Sequence, residues 1–478
     1  MSRLKKGDEI VLQITSLAFG GAGVGRVNDF VVFVHDALPG QKALVLLTKV
    51  KKSYAEGRVK EIIEQSPAAV SPRCIHFDLC GGCVLQNLAY SVQLEEKSRQ
   101  VKELLTRIGG LEALNLLPPL PAPDIFYYRN KMEFSFARER LVTREELGHL
   151  SVAERSNGCF LGLHGRGFFH KVVDLEECLL MRPPASEIVR EIRKFARQSG
   201  LPVHSTIDHQ GFWRFVVIRN SYNTPDWMVN VITSEFREDV AEALKNRIMT
   251  AFPLITSLYN GVTRSKAAVA FCEETHLLEG KPYISETIGD LRFRISPNSF
   301  FQTNSRQVRH LYDVILQFGD FQGSERVYDL YCGAGSIALY ISRHVREVIG
   351  IESVEAAVED ARLNAMDNGI NNCRFECGDL KDALENTEAV RAAWGQPDVV
   401  ILDPPRGGMH PKTVAAVVRL APQKIVHVSC NPATLARELA EFTRCGYRLG
   451  RIQPVDMFPH TAHIEVVVEL TKLSEGSE

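Results

Sequence analysis

The chain has 478 residues, 45% of them hydrophobic and 24% charged, with a formal net charge of −2. At roughly 150 residues per domain, this length predicts about three domains, each able to bury a core without disulfide staples. No apolar run approaches the ~20 residues that cross a bilayer, and the start MSRLKKGDEI turns polar at once. The sequence therefore predicts neither a membrane span nor secretion, and places the protein in the cytoplasm.

Residues 1–62 read as a small β-barrel, with Ile10, Leu12 and Ile14 alternating with polar residues and apolar runs at Phe30–Val34 and Ala43–Leu47. The run Gly20-Gly-Ala-Gly-Val-Gly25 is followed by no helical pattern, so it reads as a barrel turn and not a phosphate loop. Residues 1–60 hold ten Lys and Arg against five Asp and Glu, a local balance of +5 that leaves −7 for the remainder. A small basic unit on a mildly acidic body suits an anion-binding appendage. The hinge Gln65–Pro72 closes this unit. A Cys-bearing loop over 73–88 follows, then an amphipathic helix over 92–108 that Gly109-Gly110 ends, then a Pro-rich linker over Leu116–Pro123.

Residues 73–290 are expected to form a central α+β domain, with strands around Glu133–Phe136, Phe215–Ile218 and Met228–Ile232. From about residue 325 the rhythm becomes strand, Gly turn, helix, repeated. Strands at Arg326–Tyr331, Val348–Ile351, Asp398–Leu402 and Lys424–Val428 alternate with helices, and Tyr447–Arg451 and Ile464–Leu470 complete the sheet. That alternation predicts an α/β, Rossmann-like, doubly wound parallel sheet over 291–473.

In such a sheet, ligands sit at the carboxyl ends of the strands near the topological switch point. Asp329-Leu-Tyr-Cys-Gly-Ala-Gly335 ends the first strand with two glycines, and Glu352 ends the second, where a carboxylate can accept both ribose hydroxyls. The third glycine of a dinucleotide fingerprint is missing, because position 338 is Ala. Loss of the pyrophosphate cradle with the ribose acid retained favours S-adenosylmethionine over NAD. Asp403-Pro-Pro405 ends the next strand in a rigid loop that displays its carboxylate at the pocket.

The eleven cysteines, an odd number, argue against a disulfide framework. Cys430 follows the fifth strand in Val428-Ser-Cys-Asn-Pro-Ala-Thr-Leu435, a polar loop at the start of a helix, where a thiolate is favoured and can act as a nucleophile. Glu465 opens the apolar strand Val466-Val-Val468, a position where desolvation can tune a carboxylate into a base near neutral pH. His460 and His463 beside it read as structural hydrogen-bonders. A methyl donor, a Cys and a carboxylate base together suit methylation at C5 of a pyrimidine. Thiolate attack on C6 activates C5, and a base then removes the C5 proton so that the thiolate can leave.

The motifs Ser429-Cys-Asn-Pro-Ala-Thr-Leu-Ala-Arg437, Pro459-His-Thr-Ala-His-Ile-Glu465 and Ser299-Phe-Phe-Gln-Thr-Asn304 resemble those of the S-adenosylmethionine-dependent RNA uracil-5 methyltransferases, in the form with a TRAM domain and an iron–sulfur cluster. Glu438 stands where that family more often has Asp. The resemblance implies Cys430 as nucleophile, Glu465 as base, and cofactor contacts at Gln302, Tyr331, Gly333, Glu352 and Asp403. By spacing alone, Cys74, Cys80 and Cys83 with a remote fourth Cys suit zinc or iron–sulfur. The resemblance implies a [4Fe-4S] cluster on Cys74, Cys80, Cys83 and Cys178, with Cys159 as the alternative fourth ligand. It also implies RNA binding by the TRAM-like barrel, an RNA contact at Tyr128-Arg-Asn-Lys131, a flipped target base and a monomer. The expected substrate is 23S rRNA, with the T-loop uridine of tRNA as the same-class alternative. Amino-methylation of a purine and a non-catalytic RNA-binding or assembly factor are the readings from other classes.

Overall fold

The structure, a computed structural model, describes residues 4–474, so the ends of the chain at 1–3 and 475–478 lie outside it. Five strands, Glu9–Leu17, Gly23–Val27, Phe30–His35, Lys42–Val50 and Tyr54–Glu64, close into a barrel. Alternation puts Leu12, Ile14, Val32, Val34, Val45 and Leu47 inside it. The glycine-rich run serves this packing, because a Cβ on Gly25 would meet Leu12 Cδ2 at 2.5 Å and one on Gly23 would meet Ile14 Cγ2 at 2.9 Å.

The helix Tyr90–Gly109 ends at Gly110, whose φ of 62° is the left-handed cap that glycine adopts without cost. Its buried Val101 and Leu105 share a core with Leu435 and Leu439 of the helix Pro432–Arg444. The two backbones approach closely: a Cβ on Gly109 would come within 2.8 Å of Ala436 O. This helix therefore packs on the C-terminal sheet. The proline-rich stretch behind it is no free linker. Asn115–Leu116 pairs in parallel with Arg451–Ile452, and the Leu117 and Leu120 amides donate to Ile452 O and Pro454 O at 2.8 and 2.9 Å. Prolines are tolerated there because an edge segment leaves half its amide positions unpaired.

The central region is an eight-stranded sheet that includes Lys131–Ala137, Phe160–His164, Trp213–Asn220, Trp227–Thr233 and Ser257–Val262. The helices Ala185–Ser199 and Glu238–Ala251 cover it around a core that includes Trp213, Phe134 and Val229. The C-terminal sheet also has eight strands, in the spatial order Cys373–Cys377, Glu347–Glu352, Arg326–Leu330, Val399–Leu402, Lys424–Ser429, Glu465–Lys472, Tyr447–Val455 and Asn115–Leu116. The first five run parallel and Glu465–Lys472 pairs antiparallel. Strand order reverses between Arg326–Leu330 and Val399–Leu402, so Tyr331 and Asp403 emerge side by side at the switch point. No helix among the described residues is long and apolar enough to cross a membrane.

Candidate active site and cysteine cavity

The cofactor corner forms where Arg326–Leu330 and Glu347–Glu352 end. Tyr331 and Gly333 both take positive φ, 67° and 54°, which turns the loop back on itself. For Tyr331 this is a strained conformation, held by its amide donating to Ile351 O at 3.0 Å. The Gly333 amide donates to Glu352 Oε2 at 3.2 Å, so the carboxylate faces the loop, and the space beside Gly333 is open enough for a ligand to lie on the backbone. Asp329 below is wholly buried. Its Oδ2 accepts from the Ala338 amide at 3.0 Å while Oδ1 has no protein partner, and burial beside Asp403 and Glu352 pushes its pKa to about 8. An open glycine backbone, a strand-end carboxylate and an unpartnered buried oxygen fit the ribose and polar groups of S-adenosylmethionine.

Gln302 lies on the segment before the helix Ser305–Gly319, buried at the seam between the central region and the catalytic sheet. Its carbonyl accepts from Asn130 Nδ2 at 2.8 Å, and Asn304 Nδ2 two residues on donates to Met457 O at 3.1 Å. The first of these bonds holds Gln302 by its backbone carbonyl.

The reacting edge lies two strands further along, past Val399–Leu402. Cys430 is half-buried after Lys424–Ser429, and Asn431 caps the helix Pro432–Arg444 through its side chain. Asn431 Nδ2 also donates to Arg406 O at 3.0 Å, tying the Asp403–Met409 loop to the cysteine. Burial, then Glu465 and Asp403, pushes the Cys430 thiol up to about 11 against the pull of Arg406. Burial and the two acids thus oppose the thiolate that the helix start favours. Glu465 is buried, and desolvation with Asp403 nearby raises it to about 8, again opposed by Arg406. Asp403 is raised to about 7 by burial, with His427 pulling it down. Thus Cys430, Asp403 and Glu465 share one desolvated neighbourhood, with Arg406 acting on the thiol and on Glu465.

The four predicted cysteine ligands line one small cavity, with Phe77, Leu163, Leu175 and Leu180 around them. Burial pushes all four thiols up, Cys80 to about 11 and Cys178 to about 12, and each of Cys80, Cys83 and Cys178 is raised further by others of the set. A Cβ on Gly81 would press on His164 O at 3.0 Å, and one on Gly82 on Leu163 Cδ1 at 3.3 Å, so both glycines let the chain wrap the cavity. Among the described residues no group of three or more His, Cys, Asp or Glu is placed to hold a metal ion. Four thiols are a donor set of the kind that holds zinc or an iron–sulfur cluster. Cys178 lines this cavity, whereas Cys159 lies among Arg197, Asp174 and Arg193.

Two comparisons decide the family. A family profile described as tRNA (uracil-5-)-methyltransferase matches residues 256–473, and the TRAM domain profile matches residues 3–60. An uncharacterized RNA methyltransferase of Chlorobaculum tepidum is 42% identical over 468 residues, covering 97% of this chain and 96% of that protein. The chain belongs to the RNA uracil-5 methyltransferase family. An uncharacterized RNA methyltransferase of Halalkalibacterium halodurans is 36% identical across 98% of both chains. Among solved structures, the Pyrococcus abyssi tRNA (uracil-54, C5)-methyltransferase in complex with S-adenosyl-L-homocysteine matches with a TM-score of 0.72 and 30% identity, covering 96% of this chain and 99% of that one. The chain is thus an S-adenosylmethionine-dependent RNA methyltransferase with an N-terminal TRAM barrel.

Several residues at the site escaped the sequence reading. Arg406 follows Asp403-Pro-Pro405 and was legible only as a charge in a loop. His427 is fully buried with Nε2 at 2.7 Å from Glu438 Oε2, while Glu438 Oε1 accepts the Met409 amide at 2.6 Å. Glu438, the departure from the family's usual Asp, therefore holds the far end of the Asp403 loop. One expectation is corrected: Tyr128 is no RNA contact, because it is 1% exposed and its hydroxyl donates to Pro459 O at 3.1 Å. An aromatic at a domain seam packs inward even when cations flank it. His460 and His463 are kept neutral by burial, both near pKa 4, as structural residues should be.

Proposed function

We propose that this protein transfers a methyl group from S-adenosylmethionine to C5 of a uridine in 23S rRNA, with Cys430 as nucleophile and Glu465 as base. The observation that carries the reading is the convergence of Cys430, Asp403 and Glu465 at the carboxyl edge of the sheet, within two strands of the Gly333–Glu352 corner. S-adenosylmethionine, when bound, supplies the electrophilic methyl of its sulfonium. Gln302, Tyr331, Gly333, Glu352 and Asp403 hold it and aim that methyl at the base.

Cys430 starts as a thiol, so attack must carry its proton away. The Asp403 carboxylate, whose acidity lies nearest neutrality, takes that proton as sulfur bonds to C6 and the uracil becomes an enolate. C5 then takes the methyl. Ionised Glu465 removes the C5 proton, the C5–C6 double bond re-forms, the C6–S bond breaks, and Asp403 returns its proton to the departing thiolate. One proton, left on Glu465, goes to solvent, which balances replacement of C5–H by C5–CH3. Arg406 offsets negative charge as it builds on sulfur and carboxylate.

The same reading assigns a [4Fe-4S] cluster to Cys74, Cys80, Cys83 and Cys178, where its thiolate bonds would staple the 74–88 loop to the segment at 178. The T-loop uridine of tRNA is a second substrate reading, supported by the likeness to the Pyrococcus abyssi enzyme over 96% of the chain. Incubating the protein with labelled S-adenosylmethionine and separated rRNA and tRNA lacking 5-methyluridine, then mapping nuclease fragments by mass, tests both. Label at uridine C5 in 23S rRNA is expected. Label in tRNA alone would replace the substrate, and label on a purine amine would overturn the mechanism.

A further inference from the structure

The segment Asp456–His460, just ahead of Glu465, is held from every side. Lys97 on the helix Tyr90–Gly109 is buried at 1% exposure. Its Nζ donates to Asp456 Oδ1 at 2.8 Å and to Phe458 O at 3.1 Å, while Tyr90 OH donates to Asp456 Oδ2 at 3.0 Å. From the central region Tyr128 reaches Pro459 O, and from the catalytic side Asn304 reaches Met457 O.

The fourth hold comes from the cysteine loop. The Val84 and Leu85 amides, one and two residues after Cys83, both donate to His460 O at 2.9 and 3.0 Å. Gln93 bridges the two loops. Its Nε2 donates to Leu85 O at 2.8 Å and Leu88 O at 2.7 Å, which fixes the amide's orientation, and the His460 amide donates to Oε1 at 3.1 Å. The same nitrogen lies 3.2 Å from His460 Nδ1, while its two hydrogens already point at Leu85 O and Leu88 O. His460 has a positive φ of 64°, a conformation that a non-glycine residue keeps only when its surroundings over-determine it. From there a tight turn runs on to Glu465: the Thr461 amide and hydroxyl bond Phe458 O, and the His463 amide bonds Thr461 Oγ1.

We propose that Gln93 is a positioning residue for Glu465, acting through His460, and that the cysteine loop is the strut against which the base loop is set. This rests on the reading of Glu465 as the base. The strut explains what a metal-stapled loop does in an enzyme whose chemistry needs no metal. Fixing Cys83 fixes Val84 and Leu85, these fix His460, and His460 sets where the strand carrying Glu465 begins. Loosening the strut should slow proton removal from C5 while leaving thiol attack and cofactor binding in place.

Gln93→Met keeps length and burial but removes both ends of the bridge. In this variant kcat should fall on the order of 10- to 100-fold, as a misplaced base implies. Cofactor Kd should stay within about twofold, a margin under half a kcal/mol. A covalent RNA–protein adduct, absent from steady-state wild type, should accumulate as it does in Glu465→Gln. Adduct in Glu465→Gln with wild-type turnover in Gln93→Met overturns the strut alone. No adduct in Glu465→Gln overturns the base assignment and the strut with it. Amide hydrogen exchange of the unmodified protein provides a readout independent of any variant's folding. Val84, Leu85 and His460 should exchange at one common rate, as one cooperative unit, and that rate should rise together when the cysteines are stripped of metal by chelator. Separate rates that ignore the metal would refute the strut.

Discussion

The protein carries two cysteine sites that burial treats alike and neighbours treat differently. At the sheet edge, the Cys430 thiol is raised to about 11 with two carboxylic acids and one arginine around it. In the cavity behind the 74–88 loop, four thiols are raised by burial, and Cys80, Cys83 and Cys178 also by others of the set. A thiol among acids can hand its proton to one of them and recover it, which is what a reversible nucleophile requires. A thiol among thiols stays protonated until a metal displaces the protons, which is what a structural ligand requires. Desolvation says that a cysteine is inside; the charges around it say what it is for.

The largest effect expected from breaking this contrast is at Cys430. Cys430→Ala should reduce turnover by on the order of 10⁴-fold or more while cofactor Kd, measured by calorimetry, is retained. Turnover near the wild-type level would remove Cys430 from the chemistry. At the cavity, Cys83→Ser or Cys178→Ser should cost metal content, visible as lost brown colour and iron in anaerobically purified protein, whereas Cys159→Ser should keep both. A colourless protein holding one zinc would replace the cluster with a single ion.

The pH dependence sharpens the comparison from the acid side. Glu465 is raised to about 8, so its base form grows as pH rises through that value, and kcat on a saturating RNA should climb between pH 7 and 9. Alkylation of Cys430 in the free enzyme should keep accelerating towards pH 11, without a plateau near 7. Stability runs the other way. Asp329, Asp403 and Glu465 have folded pKa values near 8, 7 and 8, above their unfolded values, so each favours the fold fully below pH ~4 and loses that contribution as pH rises through 7 and 8. The share of Tm that these groups supply should therefore fall between about pH 4 and 8 and level off above, and Glu465→Gln should flatten part of the slope. The smallest effect belongs to the barrel. Replacing exposed Lys51 and Lys52 by Ala should lower RNA affinity modestly and shrink the salt dependence of log K by about one unit for each phosphate no longer neutralised.

Much of this was legible in the sequence because it lies in short, contiguous patterns. The Cys430 loop, the Glu465 strand start and the close spacing of Cys80 and Cys83 each fit within about ten residues, and the βαβ rhythm is a succession of such short stretches, the scale on which local periodicity carries information. What was not legible joins residues far apart in the chain. Lys97 and Asp456 are 359 positions apart, and Gln93 and His460 are 367 apart. On a helical pattern Lys97 reads as a solvated charge, and only the arrival of Asp456 makes its burial tolerable. The Leu116–Pro123 stretch failed as a linker for a related reason: its proline content marks an edge, and the strand it lies against comes from residues beyond 450. Tyr128 misled because flanking cations suggest RNA, while the seam it fills was invisible locally.

The central claim is that Cys430 bonds to the pyrimidine and Glu465 releases it. The most direct test is to incubate Glu465→Gln with S-adenosylmethionine and substrate RNA, digest with nuclease and protease, and sequence the cross-linked peptide by mass spectrometry. A methylated uridine attached to Cys430 through C6 is the predicted result. A variant that methylates nothing and traps nothing, or a nucleotide joined to any other residue, would contradict the account.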